Sequence, residues 1–392
     1  MIDRPTYLKK IEFQFKVHPI VAILGPRQCG KTTLAKMYSD KFADEPVIHF
    51  DLEDPTHLSR LESPKLALEN LEGLIIIDEV QRMPGLFEIL RVLVDRINNP
   101  ARFLIIGSAS RDLIRQSSET LAGRIGYIEL SPFSLEEIGN DNISRLWFSG
   151  GYPPSYLAES EEIGMAWRKA YISTFLERDI PNLGFSIPPA ALRRFWMMIA
   201  HYHGQTVNYS ELGRSFGASD NTIKRYLDLL SATFMIRQLP PWYENIKKRQ
   251  VKSPKIYIRD SGIFHTLLGI ENYEKLHFHP KIGPSWEGFA LETIIKAYGA
   301  DSGECYFWSA YGRAELDLLI FKGSKRIGME IKHTDKPKIT KSLRTAEKDL
   351  KIDDMLVVYP GTNWFPLDGN IHAIGLNTLV DQIHKQLDHE HS

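Results

Sequence analysis

Short apolar runs that alternate with helical patterns dominate the first third of this chain. Each run is too short for a helix and apolar enough to be buried on both faces, as parallel strands covered by helices are. Between the runs, apolar residues recur at helical spacing, as at Phe87, Leu90 and Val94. The alternation predicts an α/β fold with a parallel sheet. The strand-like runs are Ile20–Leu24, Val47–Leu52, Leu74–Ile77, Phe103–Ile106 and Ile125–Leu130.

Length and composition narrow the class of protein. A chain of 392 residues is expected to form two or three domains, and 43% hydrophobic with 25% charged residues is typical of globular proteins. The 48 basic and 49 acidic residues nearly cancel. This balance argues against a nucleic-acid coat or a polybasic membrane binder, so any basic patch must be local.

The sequence predicts neither a signal peptide nor a cysteine-based structural site. The first ten residues lack the apolar core of a signal peptide, and no apolar run reaches the ~18–20 residues of a membrane helix. The two cysteines, Cys29 and Cys305, lie far apart, which excludes a disulfide framework and a cysteine zinc site. We therefore expect a cytoplasmic protein with no membrane partner.

A glycine-containing turn follows the first predicted strand and opens a helical pattern at Lys31. It matches the phosphate-loop pattern G-x-x-x-x-G-K-[ST], in which backbone N–H groups and a helix N-terminus surround phosphates. Lys31 would reach the β- and γ-phosphates, and the Thr32 hydroxyl would ligate Mg²⁺. The alternative is an ordinary glycine-containing loop. The predicted nucleotide-binding residues are Gly25, Pro26, Arg27, Gln28, Cys29, Gly30, Lys31, Thr32 and Thr33.

Polar residues come directly after two of the later strand-like runs, Leu74–Ile77 and Phe103–Ile106. Asp78 and Glu79 come after an apolar strand, so Asp78 is expected near the metal and Glu79 where it polarises the attacking water. The next strand ends in Gly107-Ser108-Ala109-Ser110. Ser108 suits contact with the γ-phosphate or the water, or alternatively caps the following helix.

This set of motifs resembles the AAA-type P-loop ATPases, and among them a bacterial and archaeal group with a nuclease-like C-terminal region. The resemblance implies ATP binding and hydrolysis with Mg²⁺, and a sheet ordered 5-1-4-3-2. No Asn-Lys-x-Asp guanine-reading motif is present, which favours ATP over GTP. The matching stretches cover most of the chain; they are Gly25–Thr33, Asp78–Gln81, Gly107–Ser110, Leu121–Arg124, Gly150–Pro153, Glu177–Ile180 and Arg259–Gly262.

Arg124 stands where, in AAA-type ATPases, an arginine acts on the γ-phosphate of the neighbouring subunit. Such arginines are worth ~10³–10⁵ in rate because they stabilise charge on the transferring phosphoryl group. This role requires a homo-oligomer. Alternatively, Arg124 caps its helix or pairs with a carboxylate. The resemblance also leaves two roles open for the pair Arg178 and Asp179, an ion pair between lid and core or a second phosphate sensor.

The middle of the chain predicts a winged helix. Leu212 and Phe216 lie four residues apart on a first helix, Gly217 supplies a turn, and Ser219 is a good N-cap for a second helix. Two strand-like runs, Phe234–Leu239 and Lys255–Ile258, flank a loop with Lys247, Lys248, Arg249 and Lys252. One interpretation is contact with DNA or RNA through Asn221, Lys224 and Arg225. The other is a structural lid.

Two strand-like runs near the C-terminus join around Gly323-Ser324. A two-residue hairpin turn would place Asp317 opposite Glu330 and Glu315 opposite Lys332, at ~4.5–5.5 Å between Cβ atoms. Opposed carboxylates repel unless a cation sits between them.

This constellation resembles the core of the PD-(D/E)xK nucleases. The resemblance implies that Asp317 and Glu330 hold a second Mg²⁺ or Mn²⁺ and that Lys332 positions or activates the water. Glu287 stands on a preceding helical stretch as the family's helical acid. The chain departs from the pattern in that no proline precedes Asp317.

Three parts are therefore expected: a P-loop NTPase domain of AAA type over 1–140, a helical lid and winged-helix segment over 141–270, and an α/β nuclease-like domain over 271–392. The first hypothesis for function is an Mg²⁺-ATP hydrolase that acts on or with nucleic acid. The alternative is a nucleotide-gated switch or scaffold whose C-terminal domain is a catalytically inactive binding module.

Overall fold

The computed structural model describes residues 2–41, 45–97, 99–108, 120–183, 185–243, 252–310 and 314–390. They fall into two compact units. The first unit comprises Met1–Pro132 together with Ala232–Phe234, and the second comprises Phe133–Ser231 together with Met235–Ser392.

The first unit is built on a five-stranded sheet in which all neighbouring strands are parallel. The order β2-β3-β4-β1-β5 confirms the order that the resemblance implies. The strands are β1 Ile20–Leu24, β2 Val47–Asp51, β3 Gly73–Asp78, β4 Ala101–Gly107 and β5 Ile125–Glu129. The helices are Pro5–Val17, Lys31–Ser39, Pro55–Arg60, Pro64–Leu68 and Leu86–Val94, with a 3₁₀ turn at Val80–Arg82.

Alternate residues of the central strands enter two different cores. In β1, Ile20 and Ala22 belong to one buried cluster, whereas Val21 and Ile23 belong to the other. Burial on both faces explains why the strand sequences are continuously apolar. Because the strands are parallel, the residues that follow β1, β3 and β4 all emerge at the same edge of the sheet.

The second unit begins with helices. A long helix starts at Glu161 and continues through a π-helical turn at Phe175–Asp179. The helices of this part are Leu135–Ile138, Ile143–Ser149, Pro153–Tyr156, Glu161–Thr174, Ile180–Asn182 and Pro189–His201, with a 3₁₀ turn at Asn140–Asn142.

Two helices and a small sheet follow, as the pattern predicts. Tyr209–Phe216 ends at Gly217, which has a φ of 76°, and Asp220–Ala232 begins after Ser219, whose hydroxyl accepts the Thr222 N–H at 3.2 Å. The strands β6 Gln205–Thr206, β7 Ile236–Leu239 and β8 Lys255–Ile258 form an antiparallel sheet in the order β6-β8-β7. Lys247, Lys248 and Arg249 of the predicted basic loop lie outside the described residues.

A six-stranded mixed sheet completes the second unit, in the order β13-β14-β12-β11-β10-β9. The β10–β11 pairing runs from Leu318 with Met329 to Lys322 with Lys325, which confirms the two-residue turn at Gly323-Ser324. The strands are β9 Cys305–Ala310, β10 Ala314–Lys322, β11 Lys325–Ile331, β12 Asp354–Tyr359, β13 Trp364–Asp368 and β14 Ile371–Gly375. The helices are Ser261–Leu267, Tyr273–His277, Ile282–Tyr298, Lys341–Leu350 and Leu376–Glu390.

Within the described parts of the chain, no helix combines the length and apolar character needed to cross a membrane.

Candidate functional site

The loop after β1 turns tightly before the helix Lys31–Ser39. Gln28 and Gly30 have positive φ angles of 60° and 97°. Gly25 has no room for a side chain, because a Cβ there would collide with the carbonyl oxygen of Leu130. A loop of such residues turns backbone N–H groups toward one point and opens onto a helix N-terminus, so its shape suits a phosphate chain.

Lys31 lies inside this loop. Its side chain is buried, and Nζ donates hydrogen bonds to the carbonyl oxygens of Gly25 at 3.0 Å and Pro26 at 2.8 Å. The ammonium group is thus held by the same loop that the motif predicts will surround the phosphates.

Thr32 and Asp78 come together although 46 residues separate them. The Thr32 hydroxyl donates to Asp78 Oδ2 at 2.6 Å, and Asp78 Oδ1 accepts the Glu79 N–H at 2.8 Å. Hydroxyl and carboxylate oxygens are the hard ligands that Mg²⁺ prefers. These residues therefore fit a magnesium ion at the mouth of the loop.

Glu79 occupies a left-handed backbone conformation, with a φ of 55°. Its carboxylate accepts a hydrogen bond from the Gln81 amide, whose nitrogen also donates to Ser108 Oγ at 3.0 Å. Arg27 Nη2 lies 3.8 Å from the same carboxylate and 3.2 Å from Glu53 Oε1. Burial raises the pKa of Glu79, and the charges of Arg27 and Lys31 partly oppose this rise.

Ser108 is thereby linked to Glu79 through Gln81, which sequence reasoning did not single out as a site residue. The helix that Ser108 was alternatively expected to cap falls on residues outside the described chain, as do Ala109 and Ser110.

Arg4 is a second residue that sequence reasoning missed. It is buried and donates to the carbonyl oxygens of Cys29 at 3.1 Å and Ser131 at 2.9 Å. Arg4 therefore connects the loop after β1 to the residues that follow β5. Cys29 is itself fully buried, and burial raises the pKa of its thiol. A buried thiol of raised pKa is unreactive, so Cys29 is a packing residue.

Arg124 pairs with a carboxylate, as the alternative interpretation expected. Its Nε and Nη2 donate to the two carboxylate oxygens of Asp95 at 2.6 and 2.9 Å, and its Nη1 donates to the Ala122 carbonyl oxygen at 3.0 Å.

Asp317, Glu330 and Lys332 come together, whereas Glu315, predicted opposite Lys332, pairs with Lys255 instead. Lys332 Nζ lies 2.8 Å from Glu330 Oε1 and 4.0 Å from Asp317 Oδ2, and Asp317 Oδ2 accepts the Ile331 N–H at 2.9 Å. We call the carboxylates of Glu287, Glu315, Asp317 and Glu330 the acidic cluster.

Lys255, the first residue of β8, extends into the acidic cluster. Its Nζ lies 3.4 Å from Asp317 Oδ1 and 3.6 Å from Glu287 Oε1, and it also pairs with Glu315. The Tyr257 hydroxyl donates to Glu287 Oε1 at 2.6 Å. Lys255 is only 3% exposed.

Burial is the main influence on two carboxylates of the acidic cluster, Glu287 and Glu330. Burial and the charge of Asp317 raise the pKa of Glu287 and of Glu330 to about 7. Burial alone would lower the pKa of Lys255, but Tyr257 and the neighbouring carboxylates hold it well above its ordinary value.

The second Mg²⁺ or Mn²⁺ predicted between Asp317 and Glu330 does not fit this arrangement. In the part of the chain that the structure describes, no three His, Cys, Asp or Glu residues are grouped so that they could hold a metal ion. The physical reason is that the Lys255 ammonium already neutralises the charge of Asp317.

The fold and the loop define the class of protein. A parallel sheet in the order 5-1-4-3-2, with a phosphate loop after β1 and Asp78 at the end of β3, is that of an AAA-type P-loop ATPase, and residues 17–139 match the family model described as "AAA domain". The first unit is therefore an ATP-binding domain of this class. Two models described as domains of unknown function, DUF8612 and DUF4143, match residues 140–274 and 282–379.

The chain belongs to the family of an uncharacterized protein from Mycobacterium tuberculosis and another from Mycobacterium bovis. Each is 48% identical over 380 residues, which cover 97% of this chain and 85% of the relative. An uncharacterized protein of Haemophilus influenzae is 25% identical over 300 residues, which cover 69% of this chain and 74% of that protein.

Among solved structures, the chain is similar to a Walker-type ATPase of Pyrococcus abyssi, with 15% identity and a TM-score of 0.48 over 68% of this chain and 96% of that one. It is also similar to the RuvB Holliday junction branch migration motor of Thermotoga maritima, with 17% identity and a TM-score of 0.32 over 61% of this chain and 90% of that one.

Proposed function

We propose that this protein hydrolyses Mg²⁺-ATP and couples the cycle to its C-terminal parts, which act on or with nucleic acid. One observation carries the hydrolase assignment, namely the contact of Thr32 with Asp78. It supports the proposal because it joins the two predicted metal ligands, one of which directly follows the predicted phosphate-binding Lys31 along the chain.

The roles follow from the chemistry of the side chains. Lys31 binds the β- and γ-phosphates, and Thr32 and Asp78 hold the magnesium ion, which supplies neutralisation of phosphate charge when bound. Glu79 polarises the attacking water, and Ser108 contacts the γ-phosphate or that water. Gln81 holds Glu79 and Ser108 in one hydrogen-bonded group.

Replacement of Lys31 tests the hydrolase assignment. Lys31→Ala is expected to abolish ATP turnover, because it removes the charge inside the loop, whereas Lys36→Ala removes a lysine from the exposed side of the same helix and is expected to change little. Phosphate release measures both. Equal turnover in wild type and Lys31→Ala would contradict the proposal.

In the proposed active assembly, Arg124 of one copy acts on the γ-phosphate bound by the next. The Asp95 carboxylate holds Arg124 in a single copy, so this ion pair has to open when the assembly forms.

The nucleic-acid part of the proposal rests on the predicted winged helix. Asn221, Lys224 and Arg225 are all exposed on the helix Asp220–Ala232, which is the second helix of the pair. Exposed basic residues on such a helix suit phosphate contacts.

The test is the ATPase rate with and without single- or double-stranded DNA and RNA. Nucleic acid is expected to stimulate the wild type and not the Lys224→Glu, Arg225→Glu chain. A Lys341→Glu, Lys348→Glu chain carries the same charge change on another exposed helix face and serves as the control. An ATPase that no nucleic acid stimulates would remove this part of the proposal.

A second candidate function is a nucleotide-gated switch or scaffold with a catalytically inactive C-terminal module. The buried contact of Lys255 with Asp317 favours it over DNA cleavage, because the lysine charge stands where the predicted metal charge would be. This candidate predicts no plasmid nicking with Mg²⁺ or Mn²⁺. Plasmid nicking by the wild type that is lost in the Asp317→Ala, Glu330→Ala variant would instead show that the protein is a nuclease.

A further inference from the structure

Among the residues that the structure describes, the acidic cluster has fewer basic partners than carboxylates. Four carboxylates, Glu287, Glu315, Asp317 and Glu330, face two lysines, Lys255 and Lys332. We propose that Lys255 is the resident cation of the acidic cluster and keeps divalent metal ions out of it.

The backbone fixes Lys255 in this position. It lies on β8, the middle strand of the three-stranded sheet, where it is in register with Thr206 on one side and Leu239 on the other. Its side chain is buried, and the Phe307 ring centroid lies 5.6 Å from Nζ. The ammonium therefore stays in the acidic cluster as long as the sheet is folded.

The contacts of Lys255 occupy the space that an ion would need. Its Nζ reaches carboxylates from two elements, Glu287 on the helix Ile282–Tyr298 and Asp317 on β10. An ion bound to these oxygens at ~2.0–2.6 Å would lie within a few ångströms of the ammonium, and two desolvated positive charges at that separation repel strongly.

Both oxygens of Asp317 already have hydrogen-bond donors from within the chain. Oδ1 faces Lys255 at 3.4 Å, whereas Oδ2 accepts the Ile331 N–H at 2.9 Å. Glu287 Oε1 accepts the Tyr257 hydroxyl. A metal ion at Asp317 would therefore compete with these donors, and the contact of Lys255 with Asp317 links β8 to β10. This inference holds whether or not the first unit hydrolyses ATP.

Binding of Mn²⁺ to the full chain without nucleotide, measured by electron paramagnetic resonance, tests the proposal. Wild type and Lys255→Arg, which keeps the positive charge, are expected to bind no ion at the acidic cluster. Lys255→Met removes the charge at similar volume and is expected to bind Mn²⁺ at least about tenfold more tightly, because carboxylates without a counter-charge attract the ion. Adding Asp317→Asn and Glu330→Gln to Lys255→Met is expected to abolish that gain.

Two results would overturn the proposal. One is Mn²⁺ binding by the wild type that is lost when Asp317→Asn and Glu330→Gln are introduced. This would show that the acidic cluster binds a divalent ion while Lys255 is present. The other is a folded Lys255→Met chain that binds no more Mn²⁺ than wild type. Circular dichroism checks the fold, and Lys255→Gln, which keeps a hydrogen-bond donor, serves if Lys255→Met does not fold. If neither variant folds, the wild-type measurement alone decides.

Discussion

At the scale of single residues, Gln81 joins two members of the candidate ATP site. Its amide nitrogen donates to both Glu79 and Ser108, which directly follow the strands β3 and β4. Glu79 has a positive φ, a conformation uncommon outside glycine that the surrounding contacts have to maintain. Gln81 is therefore a positioning residue for Glu79, the group that we propose polarises water.

We predict that Gln81→Leu lowers kcat about 10-fold to 100-fold, a part of the ~10²–10⁴ that a well-placed general base contributes. The Kd for Mg²⁺-ATP should stay close to that of wild type, because Gln81 contacts neither the loop lysine nor the metal ligands. Steady-state kinetics and calorimetry separate the two quantities. Gln382→Leu, at an exposed position, is the control. A Gln81→Leu chain with wild-type kcat would show that the contact does not position the base.

The predicted site residues that the structure brings together in the first unit are those whose placement depends on local spacing. In both motifs a strand is followed directly by a polar turn, so short sequence patterns are enough to locate Lys31, Thr32, Asp78 and Glu79. Lys255 could not be predicted in this way, because its partner Asp317 is 62 residues away. A lysine in an apolar four-residue strand was the one signal that it is buried.

At the scale of elements, the helix Ile282–Tyr298 supports the second unit. It is apolar around most of its circumference, and it buries Glu292 as well as Trp286. Glu292 accepts hydrogen bonds from Arg237, with Nη2 to Oε2 at 3.0 Å, and from Arg259 at 3.2 Å. Burial raises the pKa of Glu292, but the two arginines outweigh it and lower the pKa to about 2.

We predict that Glu292→Ala lowers the free energy of unfolding of the second unit by about 3–5 kcal/mol, since it leaves two partly buried guanidinium groups without their partner. Urea unfolding followed by tryptophan fluorescence measures the change. Glu271→Ala removes an exposed carboxylate that pairs with Lys275 and should have little effect. Equal, small effects of both substitutions would contradict the assignment.

Elements were predictable where their contacts are local. The β10–β11 hairpin follows from one turn and from alternating residues, and its pairing is as predicted from Leu318 with Met329 to Lys322 with Lys325. The order of the six-stranded sheet was not predicted from the residues, because β12 pairs in parallel with both β11 and β14, and parallel pairs need crossover connections that no local turn pattern indicates.

At the scale of the whole molecule, the first unit includes a segment from far along the chain. Ala232–Phe234 belongs to it, and Phe234 packs against its core. No sequence pattern indicated this, because such packing depends on how the whole chain is routed.

Mixing two inactive variants tests the proposal that Arg124 of one copy acts on the γ-phosphate bound by the next. Arg124→Ala keeps Glu79, and Glu79→Gln keeps Arg124, so mixed assemblies contain interfaces with both groups. We predict that each variant alone loses turnover and that an equimolar mixture recovers part of it. Asp95→Ala should stay active, because it removes only the ion-pair partner. No recovery on mixing, or full activity of Arg124→Ala, would leave Arg124 with a structural role.

The Glu79→Gln chain offers the most direct test of Mg²⁺-ATP hydrolysis at the loop after β1. Titration calorimetry with Mg²⁺-ATP, combined with the rate of phosphate release, is expected to show binding close to that of wild type and turnover lowered about 10²–10⁴-fold, because the amide cannot polarise water as the carboxylate does. Unchanged turnover would show that the base is misassigned. Absence of binding heat in the wild type would show that the loop holds no triphosphate.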